Sequence, residues 1–164
     1  MRRLEVRRFE GPNPMFRWYR IIPFWKVMRN FLIIWMCRYL PFPSWKIVLY
    51  RLTGMRVGRH VSVAILATMD LFFPELITIG DNTVIGYNAT ILTHEFLADR
   101  LRTGEVRIGS GVMIGANATI LAGTAVGDRA TVGAMALVAR DIPAGASAAG
   151  VPARVFGREG SPPS

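Results

Sequence analysis

Residues 106–140 read VRIGSGVMIGANATILAGTAVGDRATVGAMALVAR, and within them a large aliphatic side chain returns every sixth residue: Ile108, Ile114, Ile120, Val126, Val132 and Val138. Upstream, Ile79, Ile85 and Ile91 keep the same spacing, and Val57 and Val63 fit it too. Gly follows the aliphatic at Gly80, Gly86, Gly109, Gly115, Gly127 and Gly133, and a small or β-branched residue stands four places after it, as at Thr83, Ala89, Ala118 and Ala136. A helix scatters a six-residue period around its circumference, so no apolar stripe forms. A strand repeats every two residues and six is a multiple of two, so each hexad reads as a short strand plus a turn. The aliphatic points inward, and the Gly, Asn or Asp is expected to take the corner. One such unit buries little alone. Stability has to come from stacking units into a solenoid whose coils pair as parallel strands.

Working outward, the chain changes character near His60. Residues 1–60 hold 13 of the 20 basic residues against only Glu5 and Glu10, together with all four tryptophans (Trp18, Trp25, Trp35 and Trp45). Residues after 60 hold seven basic and nine acidic residues and 13 of the 16 glycines. The length of 164 residues suits one compact domain with a small appendage. A single cysteine, Cys37, excludes a disulfide framework within the chain and a Cys-cluster zinc site, and its apolar surroundings suggest a buried thiol.

The N-terminal segment 1–54 reads as basic, aromatic and helical. Its longest uncharged run, Asn30 to Cys37, is eight residues, well short of the ~20 a spanning helix needs. After Pro23, the residues Lys26, Arg29 and Asn30 form one polar stripe on an otherwise apolar helix, which Pro41 and Pro43 end. Ser44 is the expected N-cap of a second helix through Leu52, and Gly54 its stop. Two readings compete: helices that only cover the open end of the solenoid, or helices that also lie on an anionic membrane surface. Nucleic acid binding is not expected, since the basic residues are interleaved with bulky apolar ones and no reading motif appears.

The runs IGDNTVIGYNATILTHE (79–95), 106–145 and AAGVPARV (148–155) resemble the hexapeptide-repeat acyltransferases, in particular the maltose/galactoside O-acetyltransferase-like group. The resemblance covers roughly residues 55–156. It implies a mainly β fold, a left-handed parallel β-helix preceded by the short N-terminal helices, with 157–164 as a flexible tail. It also implies a homotrimer with sites between neighbouring subunits, and acetyl-CoA as acyl donor. The hand follows from the resemblance alone, because crossovers between parallel strands are otherwise right-handed.

Residues 97–107 fall out of register and read as a loop on the solenoid surface, where sites are often built. His94 stands just before that loop, at the position that matches the family's general base. Acyl transfer from a thioester to a hydroxyl needs a base for a weak nucleophile, and an imidazole with an ordinary pKa near 6.5 suits that task. His60 has no such context and reads as structural or exposed. With two histidines in all, a three-histidine zinc site cannot be assembled from distinct positions of this chain, and no metal is expected. By resemblance, Asp70 matches an acceptor-contacting position, and Ala116, Ala134, Arg140 and Arg154 match positions that contact CoA. Ala139 and Met113 depart from the family's usual Thr and Trp.

The expected function is CoA-dependent O-acyl transfer, from acetyl-CoA to a sugar or other hydroxyl, by direct transfer with His94 as base. Two alternatives stand beside it. One is an acyltransferase acting on a lipid-linked glycan at the membrane face; the other is a non-catalytic trimeric β-helix scaffold. The expected location is cytoplasmic, with peripheral membrane contact in the first alternative.

Overall fold

A computed structural model describes residues 2–158. The hexads form a left-handed β-helix of three flat faces. On the first face, Arg56–Val57, Ile77–Ile79, Val106–Ile108 and Ala125–Val126 pair in parallel. The second carries Ser62–Val63, Val84–Ile85, Met113–Ile114, Thr131–Val132 and Ala146–Ala149, closed by an antiparallel strand Arg154–Arg158. The third carries Thr68–Met69, Thr90–Ile91, Thr119–Ile120 and Leu137–Val138. Every repeat aliphatic from Val57 to Val138 is buried, and one apolar core runs from the helices to Ala148. Of the expected tail 157–164, Gly157 and Arg158 belong to the last strand, and 159–164 lie outside the described residues.

The corners divide the labour differently from the sequence expectation. At the regular corners the residue with positive φ is the third after the aliphatic, as at Asn82, Asn88, Gly111, Asn117 and Met135. The Gly just after the aliphatic has another duty. A Cβ on Gly80 would lie 2.6 Å from the backbone of Gly109, so glycine there permits one coil to approach the next.

Three helices flank the first coil: α1 (Trp18–Ile21), α2 (Phe24–Tyr39) and α3 (Pro43–Leu52). Pro43 occupies the first turn of α3 with Phe42 as its cap, two residues before the expected Ser44, and Gly54 with φ +97° stops it as expected. These helices serve the edge that no earlier coil can pair. Buried Lys46 donates from Nζ to the carbonyls of Val63 (2.8 Å) and Ala64 (3.0 Å). Arg51 likewise donates to Val57 and Gly58. Cys37 is fully enclosed there, and burial pushes its thiol up to about 11. No helix among the described residues is long and apolar enough to cross a membrane. The segment before the helices is not helical throughout, for Glu5–Arg8 is a strand.

Candidate active site

The solenoid is broken twice, at the same corner of successive coils. Met69 and Ile91 sit side by side on the third face, and after each the chain leaves the coil before rejoining the first face at Ile77 and Val106. The first excursion, 70–76, carries Asp70, Phe72, Phe73 and Glu75. The second forms a hairpin, His94–Phe96 with Arg100–Thr103, and returns to the coil at Val106, one residue before the end expected from register. Stacking the two breaks brings together residues 24 positions apart.

Asp70 and His94 meet there. Asp70 Oδ2 and His94 Nδ1 are 2.5 Å apart. A carboxylate can only accept, so the imidazole carries its proton on Nδ1, which donates to Asp70 and leaves the Nε2 lone pair free. Asp70 also accepts from the backbone N–H groups of Phe72 (2.8 Å), Phe73 (3.0 Å) and Thr93 (2.7 Å). Burial pushes the Asp70 carboxyl up, but its hydrogen bond and electrostatic attraction to His94 and the N–H groups of Phe73 and Thr93 outweigh that and hold it below the ordinary range. Its side chain is 0 % exposed and both oxygens are engaged, so within this chain Asp70, expected to contact the acceptor, faces the histidine instead of open space.

His94 is 15 % exposed and walled by aromatic rings. Phe72 and Phe96 lie edge-on at 5.0 and 5.1 Å between ring centres, and Phe73 lies at 6.1 Å. Sequence reasoning missed these rings, because they belong to excursions and not to the repeat. It also missed what fixes them. Two members of the polar stripe of α2 face the first excursion: Lys26 pairs with Glu75 at 2.6 Å, and Asn30 Nδ2 donates to the Leu71 carbonyl at 3.1 Å. The second excursion is held by the N-terminal strand Glu5–Arg8, antiparallel to Arg100–Thr103. Glu95, beside the histidine, is bound by Arg2 and by Arg102.

The residues matched to CoA contacts lie elsewhere on the coil. Ala116 and Ala134 follow the paired Ile114 and Val132 and share the corner between the second and third faces, where Met135 N–H donates to the Ala116 carbonyl at 2.9 Å. Arg140 is exposed after Val138, at the same corner as the two breaks but in a later coil. Arg154 is exposed at the start of the last strand. Within one chain, then, the Asp70–His94 pair and the Ala116/Ala134 pair occupy different corners.

These features agree with the comparisons. The family described as "Bacterial transferase hexapeptide (six repeats)" matches residues 105–140, and "Hexapeptide repeat of succinyl-transferase" matches 76–92. The protein provisionally named acetyltransferase YvoF of Bacillus subtilis (strain 168) is 46% identical over 157 residues, covering 95% of this chain and 91% of its own. Among solved structures, a hexapeptide-repeat-containing acetyltransferase of Vibrio cholerae, complexed with acetyl coenzyme A, superposes with a TM-score of 0.69 at 21% identity, over 81% of this chain and 86% of that one. A galactoside acetyltransferase in complex with coenzyme A gives 0.60 at 23%, over 81% and 80%. The chain belongs to the hexapeptide-repeat acyltransferase family. It is an acetyltransferase of that family.

Proposed function

We propose that the protein transfers an acetyl group from acetyl-CoA directly to a hydroxyl of a sugar or other polyol, with His94 as general base. The observation that carries this reading is the Asp70–His94 pair, which orients the imidazole and leaves Nε2 open beside a partly enclosed aromatic wall. His94 Nε2 takes the hydroxyl proton as the new C–O bond forms. The C–S bond then breaks, and the same proton passes to the departing thiolate. A buried, backbone-bound carboxylate that orients a partly exposed histidine is the arrangement a general base needs, and this favours the catalytic reading over the non-catalytic one.

Acetyl-CoA binding is assigned to Ala116 and Ala134, whose small side chains leave the coil backbone approachable, and to Arg140 and Arg154 for the phosphates. The separation of these residues from His94 favours a homotrimer in which one subunit's histidine faces the next subunit's small-residue corner. Light scattering is then expected to give about three times 18.2 kDa. An active monomer would overturn the shared site. A cytoplasmic location follows from the CoA donor.

The decisive test is a pair of variants. His94→Ala should lower acetyl transfer by about 10²–10⁴-fold with little change in CoA affinity. Arg140→Ala should raise KM for acetyl-CoA and leave turnover at saturating donor largely intact. Near-full turnover by His94→Ala would make the histidine structural.

A further inference from the structure

Helix α2 wears its amphipathic pattern in reverse. Lys26 and Asn30 face the solenoid, with Val27, Ile34 and Cys37, while Trp25, Leu32, Trp35, Met36 and Tyr39 face outward. Helix α3 repeats the pattern with Trp45, Val48 and Leu52 outward. Trp25 is 80% exposed, Trp45 67% and Leu32 61%. Between the two helices lies an apolar hollow of about 560 Å³, lined by Met36, Leu40, Trp45, Val48 and Leu49 with Ser44. A contiguous apolar face of this kind marks an interaction surface.

Charge selects the occupant. Residues 11–69 contain nine Lys and Arg and no Asp or Glu. Among the described residues, Lys26 is matched by Glu75, and Lys46 and Arg51 are taken up by carbonyls, whereas Arg17, Arg20 and Arg29 have no carboxylate partner. Arg29 lies on the same outward stripe as Trp25 and Leu32. A second copy meeting this face through its own identical face would set like charges against each other. An anionic lipid surface instead offers phosphates to the guanidiniums, headgroup depth to the tryptophans and acyl chains to Leu32 and Val48. Sixteen residues of α2 make a rod of about 24 Å, suited to lying in the interface plane.

We infer that the outer face of α2 and α3 is a docking surface for an anionic bilayer. A run of ring contacts joins that face to the catalytic corner: Trp25 to Phe24 (5.4 Å), Phe24 to Trp18 (5.9 Å), Trp18 to Phe72 (5.7 Å) and Phe72 to His94 (5.0 Å). Docking at Trp25 therefore leaves the lipid surface three ring contacts away from Phe72 on the wall of His94. The docking inference is independent of the acyl-transfer reading, so the His94→Ala variant should bind vesicles as the wild type does.

The test uses the full chain and sedimentation with two kinds of vesicle, pure phosphatidylcholine and phosphatidylcholine mixed with phosphatidylglycerol. Partition onto the mixed vesicles should be about tenfold or more stronger at low salt and should fall as salt rises. Brominated acyl chains in the mixed vesicles should quench tryptophan fluorescence. The triple variant Trp25→Ser, Leu32→Ser, Trp45→Ser should lose about tenfold or more of the partition, with an unchanged melting temperature and unchanged mass by light scattering. Equal partition onto both vesicles, no partition at all, or a triple variant that binds as before overturns the inference. A smaller mass for the triple variant overturns it too, because the face is then covered by another subunit.

Discussion

Ile85, Ile91 and Ile120 are wholly enclosed in the solenoid, whereas Trp25, Phe16 and Trp45 on the helical flank stand mostly in solvent. Both regions are rich in apolar residues, yet they use them in opposite ways. In the solenoid, each aliphatic side chain stacks on its counterpart in the next coil and supplies folding energy, roughly 1.5–3 kcal/mol for a fully buried Ile or Val. On the flank the buried side chains are few and several are polar: Asn30, Lys46 and Thr53 are enclosed while the large rings point away. Composition alone therefore does not say which apolar residues build the molecule and which are offered to something else. The period of the pattern says it, together with what the polar residues of the same segment are needed for.

Three measurements would break or sharpen this contrast. The largest effect belongs inside the coil. Ile114→Ala should cost about 2–5 kcal/mol of stability, read as a lower unfolding midpoint in denaturant, because neighbours paired on both sides cannot collapse into the gap. A cost below that of an exposed substitution would mean that the stack does not share its load.

The second effect falls at the joint between the regions. Asp70→Asn should reduce turnover by about 10–10³-fold, because an amide can fix the imidazole in the wrong tautomer while preserving its place. The same variant has a pH signature. The Asp70 carboxyl is held below its ordinary value, so its contribution to stability is present above the unfolded value of about 3.9 and disappears as pH falls through the lower folded value. The acid limb of the wild-type stability curve should therefore be steeper than that of Asp70→Asn. Coincident acid limbs would remove the charge from the argument.

The smallest effect is expected on the flank. Trp25→Ser with Trp35→Ser should change stability by no more than about 0.5 kcal/mol, since surface substitutions away from packed features usually do no more. A cost of several kcal/mol in a thermal melt would show that the outward rings are part of the fold.

The solenoid was legible because a six-residue period survives over many coils, and the place of His94 at a break was legible because that period fails there. Other parts were hidden for particular reasons. The first excursion escaped notice because Met69 replaces the expected Ile or Val, so the register already looked frayed before it broke. The role of Asp70 depended on two breaks falling at one corner, which no local pattern announces. The strand Glu5–Arg8 is short, charged and exposed, and its partner lies far along the chain. The stripe Lys26, Arg29 and Asn30 was visible, but its direction was not. A polar stripe on an apolar helix faces water by default, and here Lys26 and Asn30 turn inward to Glu75 and Leu71.

The N-terminal strand also imposes an order of events on synthesis. Val6 pairs with Arg102, and the Arg3 guanidinium meets Asp141, so these residues wait for partners made long afterwards. At about 5–20 residues per second, the hundred or so intervening residues take on the order of 5–20 s to emerge. During that interval the basic, ring-studded segment has no completed solenoid to rest against. A ribosome stalled before residue 100 would already have made Asp70 and His94 and would still hold a hairpin lacking its second strand. The Asp70–His94 corner is thus begun early and closed late, and a lipid surface encountered in between would meet the helices before that corner was whole.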